Sequence, residues 1–474
     1  MNKYKKLASD TIVFAIGNFG SKILSFLFVS LYTLYLTTSE YGDADLITTT
    51  VSLLMPVLTV AIAEGVLRFL CDKNAPVSKI YSIGIGVVFS ANVFEILIIS
   101  IVSLFWPLVH NNYLLFVLLF LFTTLEELLS NVAKGLGKTK VFAAKGIVFS
   151  LVFIVANIVF LRFFGFGLTG YLIAHVIAYA VSTLFMFFFG SIFKIRFSFK
   201  IDKILLKQII VYSIAFVPST IAWWINSSAD KYMLVWMLGS SSNGLYSVAQ
   251  KVPTIIIAIT SVVTQAWQLS AMKNYGEKDF NDFFSEIFNL LSTLLIFGVA
   301  FIVLINLPLS HFLFKNDFYE AWSFVPMLTI SASFSTIAGF LASAFTSAKK
   351  TKMLFISTCI AAAINIIINY LLIIIVGELG VAIATAISFM IVVIIRLITM
   401  KKIVCLQADM FAFFFNFGIL FFCSFIIAYS KSSSDYYRIA ITCFTFVTIF
   451  NLKKLIKYIR MFILKFKKRG DVEQ

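Results

Sequence analysis

The sequence predicts an all-α protein that crosses a membrane about fourteen times. Three observations carry this. Of the 474 residues, 61% are hydrophobic and only 13% charged, and mean hydropathy is +0.99. A soluble domain is nearer about 45–50% apolar and about 25% charged. Apolar runs of roughly 20 residues, the length a bilayer requires, recur along the chain. Basic residues fall almost wholly on alternate connections between them. This composition excludes a soluble domain, a disordered chain, a coiled coil and a disulfide scaffold. No stretch between the runs is long enough for a separate soluble domain.

The first expected span, 11–36, follows a basic Met1–Lys6 segment and is too long for the core of a signal peptide. The second, 44–70, follows Tyr41-Gly42 and ends with Glu64 and Arg68. The third, 80–107, carries Glu95 in its middle. The fourth is 113–132, with Glu126 and Glu127 near its cytoplasmic end, where an interfacial position is expected. The fifth, 141–163, follows a Gly- and Lys-rich turn, and the sixth, 168–193, carries His175 as a structural histidine. Spans 209–238 and 244–272 form a hairpin around Gly239–Gly244. The rest are 286–307, 322–346, 353–376, 379–399, 411–429 and 436–451.

Charge fixes the orientation. With a cytoplasmic N-terminus, 30 of the 38 Lys and Arg lie in cytoplasmic segments or the span ends beside them. Four lie outside: Arg162, Lys315, Lys431 and Arg438. Such asymmetry is what the positive-inside rule requires, and it places both termini in the cytoplasm. The net charge of +16 therefore marks cytoplasmic loops and no nucleic-acid partner. The five cysteines show no paired spacing and the three histidines are scattered, so no disulfide, metal site or cofactor is expected. Two basic stretches with interleaved apolar residues, Lys194–Gln208 and the tail from Leu452, suit helices lying on anionic lipid.

The chain repeats itself weakly. Leu36–Gly42 and Leu238–Gly244 correspond at an offset of 202. Gly137–Lys140 corresponds to Lys349–Lys352, and Asn157 and Gly165 to Asn369 and Gly377, at 212. Two six-span blocks of equal orientation imply a pseudo-two-fold axis along the membrane normal. The expected organisation is an N-terminal lobe (1–193), a linker (194–208), a C-terminal lobe (209–399), two extra spans (400–451) and a basic tail (452–474).

Four cations lie within spans, where each costs roughly 2.5–3.5 kcal/mol on insertion scales. Lys22 sits on a polar stripe with Asn18 and is read as lining a cavity. Lys231 and Lys251 lie seven residues from either side of the hairpin turn. Two cations at like depth suit an anion between them, unless Asp230 supplies the balance. Asp230 continues a face with Trp223 and Asn226, and Trp224 lies beside it. These tryptophans, away from the interfacial belts, either stack on sugar rings or pack the core. Arg68 is spaced to pair with Glu64 as a salt bridge or a gate. Glu64 and Glu95 are the candidate coupling carboxylates.

Several stretches together resemble a known family: Gly17–Lys22, Tyr41-Gly42, Glu64–Phe69, Gly135–Lys140, Trp223–Lys231 and Gly244–Pro253. They resemble the O-antigen and polysaccharide (Wzx-type) flippases of the multidrug/oligosaccharidyl-lipid/polysaccharide exporter superfamily. The resemblance covers nearly the whole chain. It implies a MATE-like fold, two six-helix lobes around a cavity with two C-terminal helices added, in a bacterial inner membrane. It implies export of an undecaprenyl-diphosphate-linked oligosaccharide, an O-antigen or capsule repeat unit, to the periplasmic leaflet. Lys22, Lys231, Lys251 and Arg68 would then neutralise the diphosphate. Further partners would be membrane lipids, H+ or Na+, and other polysaccharide-assembly proteins. No phosphate-binding loop, nucleophile elbow or HExxH is present, so the expectation is a transporter and not an enzyme. The alternatives are a multidrug exporter and a peptidoglycan lipid-precursor flippase of the same superfamily. Cationic drugs would favour an acidic cavity, which the embedded basic residues oppose.

Overall fold

In apolar surroundings a backbone must satisfy its own amides, so each apolar run folds as helix. The structure, a computed structural model, describes residue 20 and residues 23–470 except 73, 199, 201, 349, 351 and 431. Among the described residues it is helical, with no strand. Ten helices are long and apolar enough to cross a membrane, and Thr38–Leu58 with Ile62–Leu70 makes an eleventh, bent crossing. The count of fourteen rests on three further segments. These are Ile23–Tyr35, the pair Ser240–Ala249 and Pro253–Asn274, and Ser433–Gly470.

The breaks have local causes. The bent crossing turns by 57° after Pro56. Val60 and Ala61 occupy the left-handed region there, with φ of 54° and 50°, which a β-branched residue adopts only under strain. Pro253 opens the helix Pro253–Asn274, its missing N–H costing nothing at that position. The stretch at Lys194–Gln208 is not one surface helix. Residues 195–198, after the short turn Ile192–Lys194, are not helical, and Asp202 caps the helix Lys203–Ile214 through the Leu205 N–H at 3.2 Å. That amide, with Lys79 at 3.0 Å, holds the Asp202 carboxyl below the usual carboxylate range.

The chain divides into two compact units. One takes the described residues up to Val248 with Leu313–Phe318; the other takes Ala249–Phe312 and the described residues from Tyr319. Packing thus groups the seventh span, Lys203–Leu238, with the first six, whereas the repeat begins its second block there. The first unit packs Ile62, Val66, Leu70, Ile80, Leu128 and Met186 into one core. In the second, buried Trp267 stacks 5.1 Å from Phe340 and donates to Ser343 Oγ at 2.7 Å. There, too, the helices Met410–Ala428 and Ser433–Gly470 are joined by an amide pair, Asn451 Nδ2 to Asn416 Oδ1 at 2.7 Å.

Candidate functional site

The site lies in the first unit, where two repeat-related helix starts cross. Thr37 caps Thr38–Leu58 in a capping box with Glu40. At the other start, the helix Val217–Leu238 ends at Gly239, whose φ of +95° turns the chain back into Ser240–Ala249. Thr38 and Ser240 are equivalent in the repeat, as are Gly42 and Gly244. A Cβ on Gly42 would lie 1.9 Å from Ser240 O, and one on Gly244 would lie 1.9 Å from Thr38 O. Each contact becomes the other when repeat partners are exchanged, so the crossing is locally two-fold. Only glycine permits this backbone approach. Asn243 Nδ2 donates to Gly42 O at 2.8 Å, Ser240 donates to Asp43, and the Thr38 and Ser241 hydroxyls lie 2.7 Å apart.

Beside this crossing sits a buried charge. Lys231 is 9% exposed, and its Nζ lies 2.9 Å from Asp45 Oδ2 and 3.1 Å from Oδ1. Ser247, the repeat partner of Asp45, donates to Asp45 Oδ2 at 2.8 Å. Asp45, and not the adjacent Asp230, balances Lys231. Asp230 is instead buried against the Tyr246 hydroxyl, which donates to it, and accepts the Lys231 backbone N–H at 3.0 Å. Breaking such a pair strands a charge, at roughly 3–5 kcal/mol.

Trp224 donates its indole N–H to Ser52 Oγ at 3.2 Å, while Trp223 is 62% exposed. The two aromatics therefore divide between packing and surface. Asn226 is buried on the same helix. Lys251, in the second unit, occupies the break between Ser240–Ala249 and Pro253–Asn274 and is half-buried. It has no ion pair among the described residues. Arg68 pairs with Asp72 at 2.7 Å and not with Glu64, and both members of that pair are exposed. The spacing of four from Glu64 is therefore not used. Glu64 is exposed. Glu95 is fully buried, and among the described residues neither carboxyl oxygen has a hydrogen-bond partner. His175 packs against Tyr171 and Phe153. Asn18 and Lys22 lie outside the described residues.

Two buried charges escape sequence reasoning. Glu126 is not interfacial: it is buried, paired with Lys145 at 2.7 Å and bonded by Ser182 at 3.1 Å. Arg396 is not a loop-flanking cation: it is 8% exposed in the second unit. Its guanidinium donates to Ala338 O at 2.6 Å and to the Ser357 and Thr358 hydroxyls at 3.2 Å each. Ala338 and Ser357 lie 212 residues after Glu126 and Lys145, so one arginine in the second unit stands where the first has an ion pair. The repeat register carries no signal for either, since at the offset of 212 Glu126 meets Ala338 and Arg396 meets Leu184.

The chain has the fold of a structure described as lipid II flippase MurJ in an inward closed conformation, with a TM-score of 0.70 at 17% identity. The match covers 94% of this chain and 100% of that one. An inward-facing multidrug resistance MATE family transporter of the MOP superfamily matches at a TM-score of 0.63 and 13% identity, over 82% and 97% of the two chains. A MOP superfamily transporter from Pyrococcus furiosus, described as having a binding pocket of reverse polarity, matches at 0.54 and 13%, over 83% and 95%. No curated protein matches the chain in sequence. A family model described as polysaccharide biosynthesis protein matches residues 7–268, more than half of the chain. This match over more than half of the chain makes it a member of the polysaccharide biosynthesis protein family.

Proposed function

We propose that the protein flips a lipid-linked oligosaccharide, an undecaprenyl-diphosphate repeat unit of a surface polysaccharide, from the cytoplasmic to the periplasmic leaflet of a bacterial inner membrane. The observation that carries this reading is Lys231, a buried cation held by one carboxylate from the other repeat. The Gly42–Gly244 crossing forms the outer seal. When it parts, Lys231 leaves Asp45 and requires another anion, and a diphosphate offers the same oxygen acceptors at higher charge. Lys251 is a further cation in the proposed path, at the break before Pro253–Asn274. No covalent chemistry is needed. Outward movement of negative charge is itself downhill in an inside-negative cell, by about 2.3 kcal/mol per charge per 100 mV. Family membership supports a polysaccharide cargo, and the fold is shared with a structure described as a lipid II flippase.

The test replaces Lys231 by Ala in cells that depend on this protein for surface polysaccharide. Surface glycan is lost while the protein stays at normal level in the membrane. Wild-type glycan in that strain removes Lys231 from the mechanism.

A further inference from the structure

A cavity of about 170 Å³ lies wholly within the second unit. Three segments build it. They are the end of the helix Phe280–Leu313, the short turn Asn316–Ser323, and the connection from Met410–Ala428 into Ser433–Gly470. Leu307 and Tyr436 line it and are buried, while Tyr319, Trp322 and Ser430 are half-buried. Ser432 and Ser433 are exposed at its edge.

The rings of this lining are fixed by contacts that leave most of its polar atoms open. Tyr436 donates its hydroxyl to Val303 O and packs edge to face with Trp322, ring centroids 5.7 Å apart. Asn306, fully buried, donates to Trp322 O at 2.9 Å and accepts from Ser310 Oγ at 3.1 Å. Tyr319 packs edge to face with His311 at 5.9 Å. The Tyr319 hydroxyl, the Trp322 indole N–H and the Ser430 and Ser433 hydroxyls have no hydrogen-bond partner among the described residues. Ser432 Oγ accepts the Ser434 N–H at 3.2 Å and keeps its own hydrogen to donate.

This lining defines the ligand. Among the described residues it includes no charged side chain, so nothing here balances a phosphate or an ammonium. An acyl chain would leave each covered hydroxyl or N–H without a partner, at about 1–3 kcal/mol apiece. A sugar ring suits both kinds of surface. Its C–H face sits against the negative face of an aromatic ring, and its hydroxyls pair with the serine and tyrosine hydroxyls and the indole N–H. At roughly 30 Å³ per water the cavity holds about five waters. That is room for one ring, and it falls short of the roughly 300 Å³ at which pockets for larger ligands begin. The distribution of basic residues assigns both connections that build the cavity to the outer side.

We propose that this cavity is a sugar-binding site that takes one neutral sugar residue of the exported glycan on the outer side of the membrane. The sugar site stands on the cavity and its lining. Its place in export rests on the proposed flippase function.

The site is tested on the full chain in lipid nanodiscs by saturation-transfer difference NMR. Glucose, galactose, N-acetylglucosamine and rhamnose are offered one at a time. At least one of them receives magnetisation from the wild type. Trp322→Ala, and the double variant Ser430→Ala/Ser433→Ala, each cut that transfer by about ten-fold, the loss expected when an aromatic face or a pair of hydrogen bonds is removed. Neither serine belongs to the buried core, so the double variant decides the matter if Trp322→Ala fails to fold. No transfer from the wild type to any of these sugars, or equal transfer from the double variant, overturns the sugar site. In cells, the double variant reaches the membrane at normal level and lowers surface glycan several-fold. Full surface glycan in that strain overturns the role in export. If a strain lacking the chain still exports its glycan, the flippase reading fails, while the NMR result still decides the sugar site.

Discussion

Gly42 and Gly244 face each other's backbone across a local two-fold, each leaving room for a carbonyl that a single methyl group would displace. This places a close backbone approach between the two copies of the repeat. Gly42→Ala and Gly244→Ala should each destabilise the protein by about 1–3 kcal/mol, the usual range for overpacking against groups that cannot yield. The equivalence of the two contacts predicts similar losses, read as a fall in Tm in detergent. A loss at one position only would contradict the two-fold.

Asp45 and Lys231 form a buried pair. Asp45→Ala leaves an unbalanced ammonium and should cost about 3–5 kcal/mol. Adding Lys231→Ala to it should recover part of that loss, because the stranded charge is gone. A double-mutant cycle by thermal unfolding measures the coupling. Additive losses would mean that the pair contributes nothing.

Val60 and Ala61 break the bent crossing without a glycine, although both adopt left-handed φ. A non-glycine residue there carries roughly 1–2 kcal/mol of backbone strain. Val60→Gly should therefore raise Tm, net of the entropy glycine loses on folding. A lower Tm would show that the Val60 side chain contributes more by packing than its backbone loses.

Much of this architecture is legible in the chain. Apolar runs dictate helices, and the Gly42 and Gly244 turns expose the repeat. Lys231 announces itself as an intramembrane cation. Its partner does not, because Asp45 lies 186 residues away and at the edge of its expected span. Arg396 is hidden by Lys401 and Lys402, which make its helix end look like an ordinary basic loop. Glu126 is hidden by Glu127, since two adjacent acids read as interfacial. The break at Val60 has no sequence signal beyond Pro56, because neither residue there favours the conformation it adopts.

Arg396 bonds three neutral acceptors through three separate nitrogens. A lysine ammonium cannot span them, so Arg396→Lys should lose at least one charge-assisted hydrogen bond, about 1.5–3 kcal/mol. Thermal unfolding of the variant checks this, and an unchanged Tm would mean that the fork geometry is not used.

On the proposed function, Lys231 and its surroundings carry a lipid diphosphate outward. The most direct measurement locates the lipid-linked glycan in spheroplasts of a strain depleted of the protein, by its susceptibility to an added glycan-cleaving enzyme. The glycan should accumulate in a protected, cytoplasmic-facing pool that the wild-type protein clears and the Lys231→Ala protein does not. Glycan equally open to the enzyme with and without the protein would contradict the account.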